Sequence, residues 1–439
     1  MATLKAVRGT RDLLPPETAL WNHVEATARA VFARYAFGEI RTPIFEDTAL
    51  FARGVGEETD IVSKEMYTWE DRARADSDSA QSLTLRPENT AGVVRAYIEH
   101  KLADTGMLQK LFYIGPQFRR ERPQRGRYRQ FWQIGAEVLG PSWSGADSAL
   151  RDAEVLEMLS TFLNELGVKG WRLEVNSVGS STDRPRYIAA LREALAPVKH
   201  RMSADNQRRA ETNPLRVLDS KAPEDQEIIN GLPKIADFLD DASREHFAQV
   251  LAALDACGVS YTVNPRLVRG LDYYTRTTFE FTVTDGSGLG TQNALLGGGR
   301  YDGLSEMLGG PKAPGIGFAI GEDRLILTLQ AQAEAEANGV AERKLDAFIA
   351  PMGVAQNAGA LALAQELRRA GLTIEVGDGS FRLKKSFETA DKLTRRMVIL
   401  GEDEASSGIL TVKDLITGEQ TKVARADLKD FCAAASLSS

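Results

Sequence analysis

Residues 128–138 alternate without a break. Tyr128, Gln130, Trp132, Ile134, Ala136 and Val138 fall on one side, and Arg129, Phe131, Gln133, Gly135 and Glu137 on the other. A period of two over this length specifies a β-strand with one mostly apolar face against a core. Its second face carries Gln133 and Glu137 with Gly135 between them, the pattern expected where a ligand lies on a strand. Just upstream, Arg119 to Arg129 holds six arginines and a single acid, Glu121, a local charge of +5 in a chain whose net charge is −7. So dense a reversal of sign suits a phosphate-bearing partner, since guanidinium groups pair with phosphate oxygens two at a time. The competing reading of the same stretch is an exposed hairpin with a solvated basic turn.

The chain has 439 residues, too many for one core, so two or three domains are expected. No apolar run approaches the ~20 residues of a membrane span, and the first ten residues carry no signal core. Cys257 and Cys432 lie far apart and His23, His100, His200 and His246 form no helical ligand pair. These features point to a reducing cytoplasm, no disulfide and no zinc site. An acidic chain is no general nucleic-acid coat, but local basic patches leave nucleic-acid binding open.

Taken in order, Pro15 and Pro16 open a helix with Leu20, Val24, Val31, Phe32 and Tyr35 on one face. Residues 40–46 read as a strand broken by Pro43, and 66–69 and 83–86 as short strands. A helix starting near Pro87 places Glu88 and Thr90 at a strand-to-helix corner, where an acid also favours the helix dipole by ~0.3–1 kcal/mol. Residues 111–119 form the strand before the arginine loop. Asp147 is expected to cap a helix with Leu150, Leu156, Leu159, Leu163 and Leu166 inward and Gly167 at its end. Residues of about 183 to 255 read as an inserted helical module with no site signature. Strand composition resumes at Val259, Gly297 to Gly303 reads as a glycine-rich turn, and Pro314 to Leu327 as a strand entering a helix at Glu322. No Walker loop or Gly-x-Gly-x-x-Gly unit occurs there, so a phosphate-loop or dinucleotide fold is disfavoured. Arg324, in the first helical turn, opposes the dipole and so faces an anion.

Beyond residue 344 strands alternate with helices, and Phe381 to Phe387 is a basic, aromatic cluster able to hold RNA or, equally, a solvated helix start. The expected architecture is an α+β catalytic domain (1–330) on a mostly antiparallel sheet with flanking helices and the helical insertion, a linker (331–344), and a C-terminal α/β domain with a mixed sheet (345–439). Arginines at three separated places suit a nucleoside triphosphate with Mg²⁺. Glu88, Gln133, Glu137, Tyr273 and Tyr274 suit a small amine-bearing ligand. No nucleophile–base pair is evident, so the chemistry is one of positioning and electrostatic stabilisation, as in adenylyl transfer.

Several stretches resemble a known family. Arg41-Thr42-Pro43, Phe118 to Glu137 and Gly315 to Arg324 resemble the three signatures of class II aminoacyl-tRNA synthetases. Leu267 to Tyr274 and Gly298 to Gly303 are similar to segments particular to the histidyl-tRNA synthetase family, and Arg86 to Thr90 to its substrate-amine segment. The resemblance implies ATP with Mg²⁺, L-histidine and tRNA(His) as substrates and partners, a cytoplasmic homodimer with no membrane association, and a C-terminal anticodon-binding domain. It also implies residue roles. Glu88, Thr90 and Gln133 would hold the α-amino group; Glu137 and Tyr274 would bracket the imidazole, with Tyr273 close by. Arg269 and Arg119 would stabilise the α-phosphate as the catalytic pair, and Glu121, Arg127 and Arg324 would hold the rest of ATP. Arg122 and Gln124 would approach the tRNA acceptor end, and no side chain is assigned to a metal. Asn89 departs from the family's common glycine, and tolerance of positive φ is the expected reason. Trp132 also departs and should pack on the apolar face. The nearest rival is a catalytically inactive regulatory subunit of ATP phosphoribosyltransferase, against which the Arg269 to Tyr274 stretch and the C-terminal domain both count.

Overall fold

The computed structural model describes residues 3–56, 59, 61–71, 80–268, 273–283, 293–335 and 345–433. It divides into two compact units, 1–339 and 340–439. In the first, the strands are β1 (Gly38–Glu39), β2 (Phe45–Asp47), β3 (Tyr67–Asp71), β4 (Gln81–Leu85), β5 (Gln109–Phe118), β6 (Gln130–Leu139), β7 (Trp171–Ser177), β8 (Tyr261–Val263), β9 (Thr275–Val283), β10 (Ala294–Arg300) and β11 (Gly315–Gly321). Eight of them make one sheet in the order β1-β5-β6-β11-β10-β9-β7-β8. Every internal pairing is antiparallel, and only the two edge pairs, β1 with β5 and β7 with β8, are parallel.

The alternation along 128–138 decides which face of this sheet is which. Ile134, Ala136 and Val138 are buried in the main core. That core is roofed by α1 (Glu17–Arg34), through Trp21, Val24, Val31 and Phe32, and by the helix Ala149–Glu165, through Leu156, Leu159 and Leu163. Trp132 packs edge-on against Trp21 at 6.4 Å between ring centroids, on the apolar face as its register requires. Pro16 precedes the first turn of α1, Glu17 lies within it, and Arg34 ends the helix, in keeping with the dipole.

Between β1 and β5, a small antiparallel sheet in the order β2-β4-β3 leads into α2 (Thr90–Glu99). Arg86, just past β4, clamps the two sheets together. Its Nη1 donates to Thr42 O (3.0 Å) and Thr42 Oγ1 (2.9 Å), and its Nε to Pro116 O (3.0 Å). Asn89 holds φ −122°, so the corner needs no left-handed residue. The Asn89 side chain instead accepts a hydrogen bond from Thr42 Oγ1 (2.5 Å).

Three local expectations are corrected. Ser148, not Asp147, caps the helix after β6, its side chain accepting from Leu150 N–H, and Leu150 is exposed because it falls on the solvent side of the first turn. Gly297 to Arg300 is strand β10 rather than turn. Glycine reads as a breaker, yet here it is dictated by crowding: a Cβ on Gly298 would strike the Gly317 carbonyl and the Phe279 ring. In the helical insertion, the core of Tyr187, Leu191, Leu195, Val217, Ile229 and Leu239 ends at Leu239. The following helix, Asp241–Ala256, sends Val250 and Leu254 into the main core and packs on Ala149–Glu165.

A buried ion cluster joins those layers. Asp152 accepts from His246 Nε2 (2.8 Å) and from Arg300 Nε (3.1 Å), and Arg300 also donates to Ala146 O (3.0 Å). Burial alone would raise the Asp152 carboxyl, but the Arg300 guanidinium and His246 hold it at about 2.

The second unit is a five-stranded mixed sheet of β12 (Ala347–Pro351), β13 (Ile374–Val376), β14 (Arg396–Leu400), β15 (Ile409–Asp414) and β16 (Gln420–Ala424), ordered β13-β12-β14-β15-β16. The first three are parallel and the last two antiparallel. Among the described residues no helix is long and apolar enough to cross a membrane.

Glu322, fully buried at the start of the helix Glu322–Ala335, has no hydrogen-bond donor on either carboxyl oxygen among the described residues. Burial, reinforced by Glu25 and Asp323, pushes it up to about 9. The fold therefore keeps a proton that the unfolded chain releases, and stability falls as pH rises from the ordinary carboxyl range towards 9. Glu322→Gln, which cannot ionise, should match the parent near pH 5 and exceed it by on the order of 3 kcal/mol by pH 7.5, as read by chemical denaturation. A difference that does not grow with pH would show that Glu322 does not carry that proton.

Candidate active site

On the polar face of β6 the sheet floors a cavity of about 470 Å³. Of the residues singled out in the sequence, Glu88, Thr90, Arg119, Glu121, Arg127, Gln133, Glu137, Tyr273, Tyr274 and Arg324 all line it. They come from the corner after β4, the loop between β5 and β6, strand β6, the segment before β9, and the helix after β11. Arg122 and Gln124 do not line it. Both are exposed on the loop, where Gln124 and Arg127 exchange backbone hydrogen bonds across a tight turn containing Gly126. Arg269 lies outside the described residues.

One end of the cavity is built from carboxylates and phenols. Glu137 is fully buried; its Oε2 accepts from Tyr301 Oη (2.6 Å) and its Oε1 from Thr90 Oγ1 (2.7 Å). Burial pushes the Glu137 carboxyl up to about 8 against the pull of those two donors, and Glu88 adds to the rise. Glu88 caps α2, its two oxygens accepting from Thr90 N–H (2.8 Å) and Ala91 N–H (3.0 Å). Burial raises the Glu88 carboxyl as well, while Arg119 is among the groups that hold it down. Tyr273 stands 4.8 Å from Tyr274 and 5.9 Å from Tyr301 between ring centroids, forming the wall opposite β6. Gln133 is buried with no partner for Oε1 among the described residues.

The arginines of the lining are interleaved with Glu65, Glu121 and Glu280. Arg119 donates from Nε to Pro87 O (2.9 Å) and lies over the Phe131 ring at 5.1 Å. Arg127 pairs with Glu121 at 3.4 Å. Burial lowers the pKa of Arg119 and of Arg324, yet both stay cations at neutral pH. Asp323 fixes the first turn that carries Arg324, accepting from Arg11 (2.9 Å) and from Trp132 N–H (3.0 Å). The N-terminal segment also holds the loop, since Arg129 N–H donates to Gly9 O (2.7 Å).

The reading of Gly135 is corrected. The missing side chain makes room for a neighbour and not for a ligand: a Cβ there would collide with the ring of Tyr113, the residue's partner on β5. Gly317, opposite Glu137 on β11, is required in the same way, because a Cβ would occupy the Glu137 carboxylate position. Tyr113, Tyr301, Glu65, Glu280 and Arg216 line the cavity and are absent from the expected set. Tyr301 lies within the Gly298 to Gly303 stretch, and Gly135 signals Tyr113. Nothing local marks Arg216, which comes from the insertion.

A mostly antiparallel sheet holding an arginine-lined cavity with a carboxylate and phenol end, in a chain with a separate mixed-sheet unit, is the build of an aminoacyl-tRNA synthetase. A family model described as histidyl-tRNA synthetase matches residues 9–325, and one described as anticodon binding domain matches 346–434. A histidine–tRNA ligase of Koribacter versatilis is 67% identical over 97% of this chain and 95% of its own length, and one of Solibacter usitatus is 52% identical over 97% and 98%. The apo histidyl-tRNA synthetase of S. aureus aligns with a TM-score of 0.77 at 36% identity, covering 98% of this chain and 99% of that one. The chain belongs to the histidyl-tRNA synthetase family. The reading as an inactive regulatory subunit is not favoured, given such identity to a ligase over nearly the full length and the anticodon-domain match.

Gly317→Ala should displace Glu137 and cost ~1–3 kcal/mol through overpacking. The same change at exposed Gly38, where an added Cβ meets nothing, should cost under ~1 kcal/mol. Thermal melts of the two variants check this, and equal midpoints would mean the β6–β11 contact is slack.

Proposed function

We propose that this cavity is the active site of a class II histidine–tRNA ligase, in which ATP activates L-histidine and the aminoacyl group then passes to the 3′ end of tRNA(His). The observation that carries the reading is the pairing of a fully buried, hydrogen-bonded Glu137 with an arginine-lined end of the same cavity.

In this reading the α-amino group of histidine sits among Glu88, Thr90 and Gln133, and the imidazole lies between Glu137 and Tyr274, with Tyr273 and Tyr301 behind. A ring nitrogen met by a buried carboxylate is discriminated strongly, since an analogue without it leaves that group unpaired. The substrate carboxylate attacks the α-phosphorus of ATP, so no protein nucleophile is needed. Arg119, together with Arg269, meets the charge developing on the α-phosphate, a contribution of ~3–4 kcal/mol per donor in comparable sites. Glu121, Arg127 and Arg324 hold the remainder of the nucleotide. Arg122 and Gln124, exposed on the loop, meet the acceptor end of tRNA. Among the described residues no group of three or more His, Cys, Asp or Glu side chains is arranged to hold a metal. Mg²⁺ would come with the triphosphate and offset part of its charge, and no step here is routed through it.

The 1–330 portion is the catalytic domain and 345–439 the anticodon-binding domain. In the latter Lys385 Nζ lies 3.9 Å from the Phe381 ring and Lys413 Nζ 4.6 Å from Phe387, a cationic, aromatic surface suited to RNA. Exposed Phe45 and Trp69 on the small sheet, with Ile44 just before it, support a homodimer through that face. The unpaired Cys257 and Cys432 fit the cytoplasm.

Pyrophosphate exchange into ATP, run with each of the twenty amino acids, tests the assignment. Exchange should require histidine and fall ~100-fold or more in Arg119→Ala; exchange with a different amino acid, or with none, would sink the reading. A second expectation concerns pH. With Glu137 protonated up to about pH 8, one proton is shared between the carboxyl and the imidazole. Histidine affinity should then be flat from the ordinary imidazole range, ~6.5, up to about 8 and weaken above it. Calorimetric titration should show that alkaline loss disappear in Glu137→Gln; a loss beginning at the same pH in both proteins would locate the proton elsewhere.

A further inference from the structure

The insertion supplies a residue to the cavity. Arg216 lies in the single turn Pro214–Val217, and it lines the cavity together with Arg119, Arg127 and Arg324. Its neighbours Pro214, Leu215, Val217 and Leu218 are buried, three of them as part of the insertion's own core, so the turn is fixed in place and Arg216 is the side chain it presents outward. A guanidinium in this cavity is out of place beside an amine or an imidazole, and it matches an anionic ligand.

The same module is tied to the segment that precedes Tyr273 and Tyr274 in the chain. Arg266 donates to Gln226 Oε1 (3.0 Å), Leu218 O (3.3 Å) and Asn230 Oδ1 (3.3 Å), all in the insertion. Val268 packs against the insertion's core, while Leu267 O accepts from Asn176 Nδ2 on β7 (3.0 Å). Residues 266–268, which precede Tyr273 by five to seven positions, are thus tied both to the insertion and to β7.

We propose that Arg216 is a nucleotide-binding residue contributed by the insertion, its guanidinium taking polyphosphate oxygens of ATP, and that Arg266 is the positioning residue that holds this turn to the substrate-reading segment. The inference rests on the assignment of the arginine-lined part of the cavity to ATP. It makes the insertion one wall of the nucleotide site, so that ATP occupancy and the seating of the insertion on residues 266–268 favour one another.

Histidine-dependent pyrophosphate exchange with the full chain tests it. Arg216→Ala should raise KM for ATP by about tenfold or more while KM for histidine stays within about twofold, as expected for loss of one charge-assisted contact to phosphate. Arg216→Lys should recover part of the ATP affinity, and Arg266→Ala should shift KM for ATP in the same direction. Arg208→Ala, exposed on the same module and paired with Asp205, is the control for a general charge effect. Thermal melts with and without ATP read the coupling separately, since the stabilisation by ATP should shrink in Arg216→Ala. An unchanged KM for ATP, an equal rise for both substrates, or a defect confined to transfer onto tRNA would overturn the proposal. If the parent itself showed no histidine-dependent exchange, the active-site assignment would fail first and this inference with it.

Discussion

The structure turns on one buried carboxylate. Glu137 has no contact with solvent and sits on β6, an interior strand of the eight-stranded sheet. A carboxylate in such a place is costly unless its oxygens are met by donors. Tyr301 from the end of β10 and Thr90 from the first turn of α2 meet them, and Gly317 on β11 leaves the space. Three elements distant in sequence are thereby placed relative to β6, and the same contacts aim the carboxylate into the cavity. Even so the donors do not cancel the effect of burial, and the group remains poised near neutrality. A group balanced in this way can take part in reading a ligand that itself titrates near neutrality.

The lining of the cavity organises the chemistry assigned to it. Glu88 and Glu137 lie with the phenols, while the arginines have Glu121 and Glu280 among them. Arg119 is held by a carbonyl and an aromatic face, Arg127 by its pair with Glu121, and Arg324 stands on the helix turn that Asp323 anchors. Guanidinium groups fixed in place before a ligand arrives need little reorganisation, and electrostatic stabilisation of this preorganised kind suits a site without a protein nucleophile. Behind the sheet, the Asp152–Arg300–His246 cluster secures β10 against two helices. Arg300 adjoins Tyr301, so the back of the sheet helps to set the front.

Much of this was legible in the residues. The alternation along 128–138 identified the strand, its buried face and the packing of Trp132. The change of rhythm beyond residue 344 announced the mixed sheet of the second unit. What misled was mostly glycine. Gly297 to Gly299 read as a turn, and Gly135 as open space for a ligand, because a sequence shows that a side chain is missing but not which neighbour needs the room. Asn89 was read through backbone conformation, whereas its side chain bonds Thr42. The helix Asp241–Ala256 read as part of the insertion, and only its partners show that it covers the main core.

By itself the sequence determined the elements whose periodicity is local, the two sheet classes, and the chemical types of the residues in the cavity. Spacing and composition act over a few residues, and those signals survive without coordinates. Only the tertiary structure decided that Tyr113 lies across Gly135, that Tyr301 meets Glu137, and that Arg216 comes from an inserted module to line the same cavity. Each is a contact between segments far apart in the chain, selected by steric fit and burial across a sheet, and no local pattern encodes which partner arrives.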